Sequence, residues 1–283
     1  MRVLAFFMVA TLVQLCNVEA FASCEWEELK GTHFIVNFCK DDLSFAREIL
    51  REAEKNYSRI AHYLGYARYS NFWTWEHRVK IYIYPDRRSF SQARKRPQWS
   101  EGMADYTKKE IASYAQSKNF LETILPHEMA HLMFRDFVGF QGEVPLWLDE
   151  GVAQWAEAKR RQEVKALMRV FVKRKTLIPL KRMMTSNVRN VTNRNIFRVY
   201  SSLRPEAAPF VMRGNNFVKL YYLQAASLVG FLIERFGTER FTNFCRGLRD
   251  GKALREALKS SYPQSVSTME GLEAEWLQYI QQE

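Results

Sequence analysis

Hydrophobic positions along the chain recur with a period of two in its first part and near three and a half in the rest. Thr32 to Asn37 (THFIVN) and Arg78 to Tyr84 (RVKIYIY) predict strands, the second alternating strictly until Pro85 stops it. Between them, Ser44 to Leu64 sets Leu50, Ala53, Ile60, Ala61 and Leu64 at helical intervals, and Gly65 ends the run. Asp86 to Ala93 predicts a short helix and Ile111 to Gln116 a third strand. From Phe120 the helical period dominates to the C-terminus, including Phe217 to Phe236 and Leu272 to Gln282. The expected class is α+β: a mixed α/β N-terminal lobe, about residues 23–157, and a mostly helical C-terminal lobe, about 158–283.

The N-terminus stands outside this pattern. Arg2, an uncharged apolar run from Val3 to Leu15, and the small-x-small sequence Ala20-Phe21-Ala22 form the layout of a secretory signal peptide over residues 1–22. The run is too short to span a bilayer comfortably. The expectation is an exported chain, periplasmic or secreted, that starts at Ser23. A second reading takes Phe21-Ala22-Ser23-Cys24 as a loose lipoprotein box with Cys24 lipidated. After cleavage Cys24, Cys39 and Cys245 remain. In an oxidising compartment Cys24 and Cys39 are the natural pair, while three small buried hydrophobes is the plainer alternative. No CxxC spacing supports cysteine ligation of a metal.

With 283 residues, 47% hydrophobic and 14% aromatic, the chain can bury a sizeable core, which excludes disorder and fibrous repeats. Charge is uneven. From Lys159 to Arg213 fifteen Lys or Arg face only Glu163 and Glu206, a net of +13, while the rest of the chain sums to −2. The plain reading is an amphipathic helix with a solvated basic face; the sharper one is a surface for an anionic membrane, a cell-wall polymer or an acidic substrate. Nucleic acid is not expected, since no nucleic-acid-binding module is present.

The chemistry concentrates at His127-Glu128-Met129-Ala130-His131, an HExxH sequence. On a helix, residues four apart share a face, so both imidazoles can reach one Zn²⁺ while Glu128 sits one step round. Thr123 is the expected N-cap, placing Pro126 in the first turn, where its missing N–H costs nothing. A catalytic zinc needs a third protein ligand and an open position, and Glu150 follows His131 after eighteen intervening residues.

Here the sequence resembles the gluzincin metallopeptidases, whose aminopeptidase N-like branch has the same gap and the pattern W-L-x-E-G-x-A-x-W/Y-x-E. This chain reads Trp147-Leu148-Asp149-Glu150-Gly151-Val152-Ala153-Gln154-Trp155-Ala156-Glu157. The resemblance implies a thermolysin-like zincin catalytic domain of the peptidase-MA-like kind over residues 23–283. It implies one Zn²⁺ per chain on His127, His131 and Glu150, with Glu128 as general base toward a zinc-activated water. Glu157 matches an acid expected to support the ligands. Gln154 stands where the thermolysin branch has an Asp, a departure from that branch's support of its ligands. Tyr222, in Tyr222-Leu223-Gln224-Ala225, matches the tyrosine that stabilises the oxyanion, with Tyr221 beside it as the competing residue. Gly102-Met103-Ala104-Asp105 stands where the aminopeptidases have G-x-M-E-N. Ala104 replaces the Glu that grips a free amine, and Asp105 is a potential substitute, so endopeptidase action on a peptide or protein substrate is expected. The contrasting function is a noncatalytic zinc-fold envelope protein that binds anionic surfaces through its basic segment. His33, His62 and His77 lie at no ligand spacing and are expected to be structural. Asn56-Tyr57-Ser58 and Asn190-Val191-Thr192 fit the glycosylation sequon.

Overall fold

The computed structural model describes residues 24–65, 73–97, 100–115, 117, 119–139, 144–204 and 206–282. The expected signal peptide and its cleavage site lie outside these residues. Strands β1 (Trp26–Lys30), β2 (Phe34–Cys39), β3 (Val79–Tyr84), β4 (Met103–Asp105) and β5 (Glu110–Tyr114) form one mixed sheet in the order β1-β2-β3-β5-β4. The three central strands are parallel, and both edge strands are antiparallel to their neighbours. Parallel neighbours need crossover connections, supplied by helix α1 (Leu43–Tyr63) between β2 and β3 and by the segment carrying α2 (Arg87–Ala93) between β3 and β5. Alternation decides which face is buried: Val79, Ile81 and Ile83 of β3 are fully buried, whereas Lys80 between them is exposed. Asp86 caps α2 by accepting the Ser89 N–H at 2.7 Å. Cys24 and Cys39 form a disulfide joining the start of the described chain to the end of β2. Cys245 is a buried free thiol.

Helices α3 (Leu125–Val138) and α4 (Leu146–Ala156) follow the sheet, then α5 (Ala158–Lys173) and α6 (Leu180–Thr185). Next come strands β6 (Ile196–Val199) and β7 (Phe210–Arg213), then α7 (Gly214–Phe236), α8 (Thr238–Arg249), α9 (Leu254–Ser261) and α10 (Met269–Gln282). The region after Phe120 is mostly helical, as expected, and β6 and β7 add one antiparallel hairpin that the periodicity did not predict. Each strand is only four residues long, too short for its alternation to stand out against the helical pattern around it. β1 and β4 also escape the periodicity, because edge strands carry exposed or half-buried side chains on both faces.

Helix α7 is long and apolar enough to cross a membrane, but 78% of its most apolar stretch is buried inside the protein, where it packs along α4. The two helices approach closely at Gly151. A Cβ there would stand 2.7 Å from the Ala225 carbonyl oxygen and 2.7 Å from Val229 Cγ2. One continuous hydrophobic core runs from the sheet through α3, α4 and α7.

Candidate metal centre

Helix α3 carries the HExxH residues. Its N-cap position is Ile124 rather than Thr123, because a π-helical turn over Phe120–Ile124 leads directly into it and already orders the backbone that Thr123 was expected to cap. Pro126 lies in the first turn, as expected. Gly139 closes the helix in the left-handed conformation, with φ of 75° and its N–H donating to the Arg135 carbonyl at 2.8 Å. The four-residue spacing brings His127 Nε2 and His131 Nε2 to 3.2 Å from each other. Glu150 in α4 faces the same point, with its Oε2 3.8 Å from His127 Nε2. One donor atom from each of His127, His131 and Glu150 lies within 4.8 Å of the others.

The remaining imidazole nitrogens are occupied by carboxylates. His127 Nδ1 pairs with Glu157 Oε1 at 2.8 Å, and His131 Nδ1 with Asp149 Oδ1 at 2.8 Å. Each ring is thereby fixed in orientation and tautomer with Nε2 directed at the shared point. Two imidazole nitrogens and a carboxylate, with outer carboxylates behind the rings, form a donor set suited to Zn²⁺. Burial draws the His127 pKa down, but the Glu157 hydrogen bond and the charges of Glu128, Glu150 and Glu157 outweigh it and raise it to about 9. Asp149 shows the opposite balance. Burial favours its neutral form, yet the His131 hydrogen bond and charge, together with Arg135, hold its pKa below the ordinary carboxylate value.

Three residues of this environment were not singled out in the sequence. Asp149 sits inside the W-L-x-E-G pattern at its unspecified position. Arg135, four residues past His131 on the same helix face, donates from Nη2 to Asp149 Oδ2 at 2.6 Å. Tyr106 follows β4 and leaves no local signal, because tertiary packing alone brings it to the site. Its ring lies edge-on to His131 with centroids 6.1 Å apart and stacks under the Arg135 guanidinium at 4.3 Å. Burial, followed by the charges of Asp149 and Glu128, raises its pKa. The turn holding Tyr106 is tied to α3 again by the Lys109–Asp136 ion pair at 2.7 Å.

Glu128 is partly buried between the two histidines in sequence. On α7, Tyr221 is fully buried, and its hydroxyl has no hydrogen-bond partner among the described residues. Tyr222 is only partly buried. Burial, then the charge of Glu150, raises its pKa to about 12 against the opposing effect of Arg189. Asp105 uses its Oδ1 to accept the N–H groups of Thr107 and Lys108, so that oxygen is engaged in its own turn. His33 is held by Glu54 at 2.6 Å and stacks on Tyr57, a structural arrangement. Asn56 is buried and accepts from Arg59 at 2.6 Å, which removes the first sequon as an accessible acceptor site.

Residues 73–202, a segment that includes both α3 and α4, match the family model described as the peptidase MA superfamily. Among solved structures, leukotriene A4 hydrolase from Saccharomyces cerevisiae aligns over 89% of this chain and 38% of its own, with a TM-score of 0.44 and 12% identity. The chain therefore spans well under half the length of that protein. The comparison with curated proteins gives no match.

Proposed function

Residues 73–202 of this chain belong to the peptidase MA superfamily, and on that premise we propose that the protein is a zinc-dependent metallopeptidase of the gluzincin kind, with His127, His131 and Glu150 as the metal ligands. The observation that carries this reading is the convergence of their donor atoms within 4.8 Å on two adjacent helices, with a carboxylate behind each imidazole. The edge strand β4 beside α3 further supports a thermolysin-like cleft.

When bound, zinc supplies Lewis acidity toward a peptide carbonyl and lowers the pKa of the attacking water. Glu128 takes the proton from that water and passes it to the departing amine, so each turnover consumes one water and returns Glu128 to its starting state. Tyr222 donates its O–H to the oxygen on which negative charge develops; a pKa of about 12 keeps the phenol protonated at neutral pH. Glu157 and Asp149 hold the ligand rings in place. The substrate is a peptide or protein, and Ala104 in place of an amine-gripping acid favours cuts within the chain. The Cys24–Cys39 disulfide supports an oxidising compartment, and therefore export, while committing the sulfur that the lipoprotein reading would require.

The test combines metal analysis with hydrolysis of a mixed peptide library. One zinc per chain is expected, with cleavage that stops on chelation and returns with Zn²⁺. Protein purified without chelator that contains no stoichiometric zinc would sink the reading. Stoichiometric zinc together with no cleavage of any member of a broad library would favour the noncatalytic alternative.

A further inference from the structure

The β6–β7 hairpin presents an amphipathic face that the peptidase chemistry does not use. Its register pairs Ile196 with Arg213 and Arg198 with Val211 on one side, and Phe197 with Met212 and Val199 with Phe210 on the other. The second side faces the core: Val199 is fully buried, and Phe197 stacks on Phe217 with ring centroids 4.0 Å apart. The first side faces outward. Ile196 is 69% exposed and Val211 62%, and Tyr200, next in the same alternation, is 59% exposed. Arg198 and Arg213 are exposed among them, and neither makes an ion pair among the described residues. Apolar and cationic side chains thus alternate on one short, rigidly backed surface.

We propose that this face docks the protein onto an anionic lipid surface, with Ile196, Tyr200 and Val211 entering the interfacial layer and Arg198 and Arg213 meeting lipid phosphates. Charge complementarity selects this occupant. From Val164 to Arg213 the sequence contains a single acid, Glu206, so a second copy meeting the same face would bring like charge against like. A purely acidic polymer would be recognised by the arginines but leaves three large apolar side chains in water. A membrane interface satisfies both halves of the pattern. β7 runs directly into α7, and Tyr222 lies nine residues beyond Arg213, roughly 13 Å along a helix. Docking would therefore hold the metal centre close to the bilayer, where membrane-bound or membrane-emerging chains are the accessible substrates.

The test is co-sedimentation of the full chain with vesicles of phosphatidylcholine alone and of phosphatidylcholine mixed with phosphatidylglycerol, at low and high salt. Three variants accompany it: Ile196→Ser with Val211→Ser; Arg198→Gln with Arg213→Gln; and Lys173→Gln with Arg174→Gln and Lys175→Gln. Binding is expected only to the anionic vesicles and should weaken with salt. The arginine pair should lower it about 25-fold, about fivefold for each Arg near the surface. The apolar pair should also lower it several-fold, and the Lys173 triple much less. All the substituted side chains are exposed, so unchanged melting and zinc content will show that the fold survives. No binding to anionic vesicles, or equal binding to both vesicle types, overturns the proposal. So does an apolar pair that binds like the parent while the Lys173 triple loses as much as the arginine pair, which would mean diffuse charge attraction. Equal retention of the parent and the apolar pair by soluble polyglutamate, with no vesicle binding, would assign the face to an acidic polymer. A dimer that the apolar pair converts to monomer would assign it to a second copy.

Discussion

Asp149 Oδ1 stands 2.8 Å from His131 Nδ1, with both side chains almost wholly excluded from solvent, and its second oxygen is held by Arg135 Nη2 at 2.6 Å. A charged acceptor behind the ring raises the basicity of the nitrogen facing the metal and keeps the ring from turning. Asp149→Asn keeps the shape and removes the charge. Zinc affinity should fall roughly 10- to 100-fold, as measured by competition with a chromophoric chelator. An affinity within twofold of the parent would show that Asp149 does not act through His131.

Glu128→Gln separates metal binding from chemistry. The side chain keeps its volume but cannot take a proton, and it is not among the converging donor atoms. Zinc should stay stoichiometric while turnover falls by about 10²- to 10⁴-fold, the usual contribution of a positioned base. Substitution of His127, His131 or Glu150 should instead remove metal and activity together. If Glu128→Gln cleaves peptides at the parent rate, the base lies elsewhere.

The three converging side chains could be found from sequence because their relationship is local: His127 and His131 depend only on helical spacing, and Glu150 lies on the next helix inside a recognisable pattern. Glu157 was legible for the same reason. Arg135 and Tyr106 were not, because one acts through an unspecified position and the other is brought to the site by the sheet edge. The long central elements were also legible, since burial on a single helix stripe or on alternate strand positions imposes a period. The β6–β7 hairpin was not, because four-residue strands with one wet face leave too few positions to establish one. The π-helical turn before α3 displaced the expected N-cap for a related reason: its backbone bonds replace those that a capping side chain would have supplied.

Tyr221 and Tyr222 differ in surroundings, so their variants should differ in effect. Tyr222→Phe should lower kcat by about 10²- to 10³-fold with little change in KM, the pattern for a donor that acts only in the transition state. Tyr221→Phe removes a fully buried hydroxyl that has no partner among the described residues, so activity should hold and stability should stay the same or rise. The reverse outcome in steady-state kinetics and thermal melts would exchange the two assignments.

Zinc uptake should depend on pH through His127. Its pKa of about 9 in the metal-free fold exceeds the ordinary 6.5, so protonation stabilises that fold. The contribution is complete below about 6.5 and is lost as pH rises through about 9. Metal binding must displace this proton. Zinc affinity should therefore rise about tenfold per pH unit from neutrality toward 9 and then level off, with nearly one proton released per zinc from His127 at neutral pH. Calorimetry in buffers of different ionisation enthalpy measures that proton. Glu157→Gln should reduce the release, since the hydrogen bond that the Glu157 carboxylate accepts from His127 Nδ1 helps to raise the pKa. Release that is unchanged by the substitution would contradict this account.

Gly151 links helix packing to the candidate metal site. It follows Glu150 directly, and a Cβ there would lie 2.7 Å from the Ala225 carbonyl oxygen, a backbone atom that cannot swing aside. Gly151→Ala must push α4 and α7 apart and carry Glu150 with the displaced helix. Overpacking of this kind costs ~1–3 kcal/mol, and zinc affinity should fall as well, because the third ligand moves relative to two that stay on α3. Gly247→Ala is the control. Its added Cβ would meet nothing closer than 3.4 Å, ordinary contact, so zinc affinity should not change. Thermal melts of the metal-free proteins and chelator competition of the zinc-loaded ones give the two readings separately. A Gly151→Ala protein that loses stability but binds zinc like the parent would show that the ligand set adjusts independently of the α4–α7 contact.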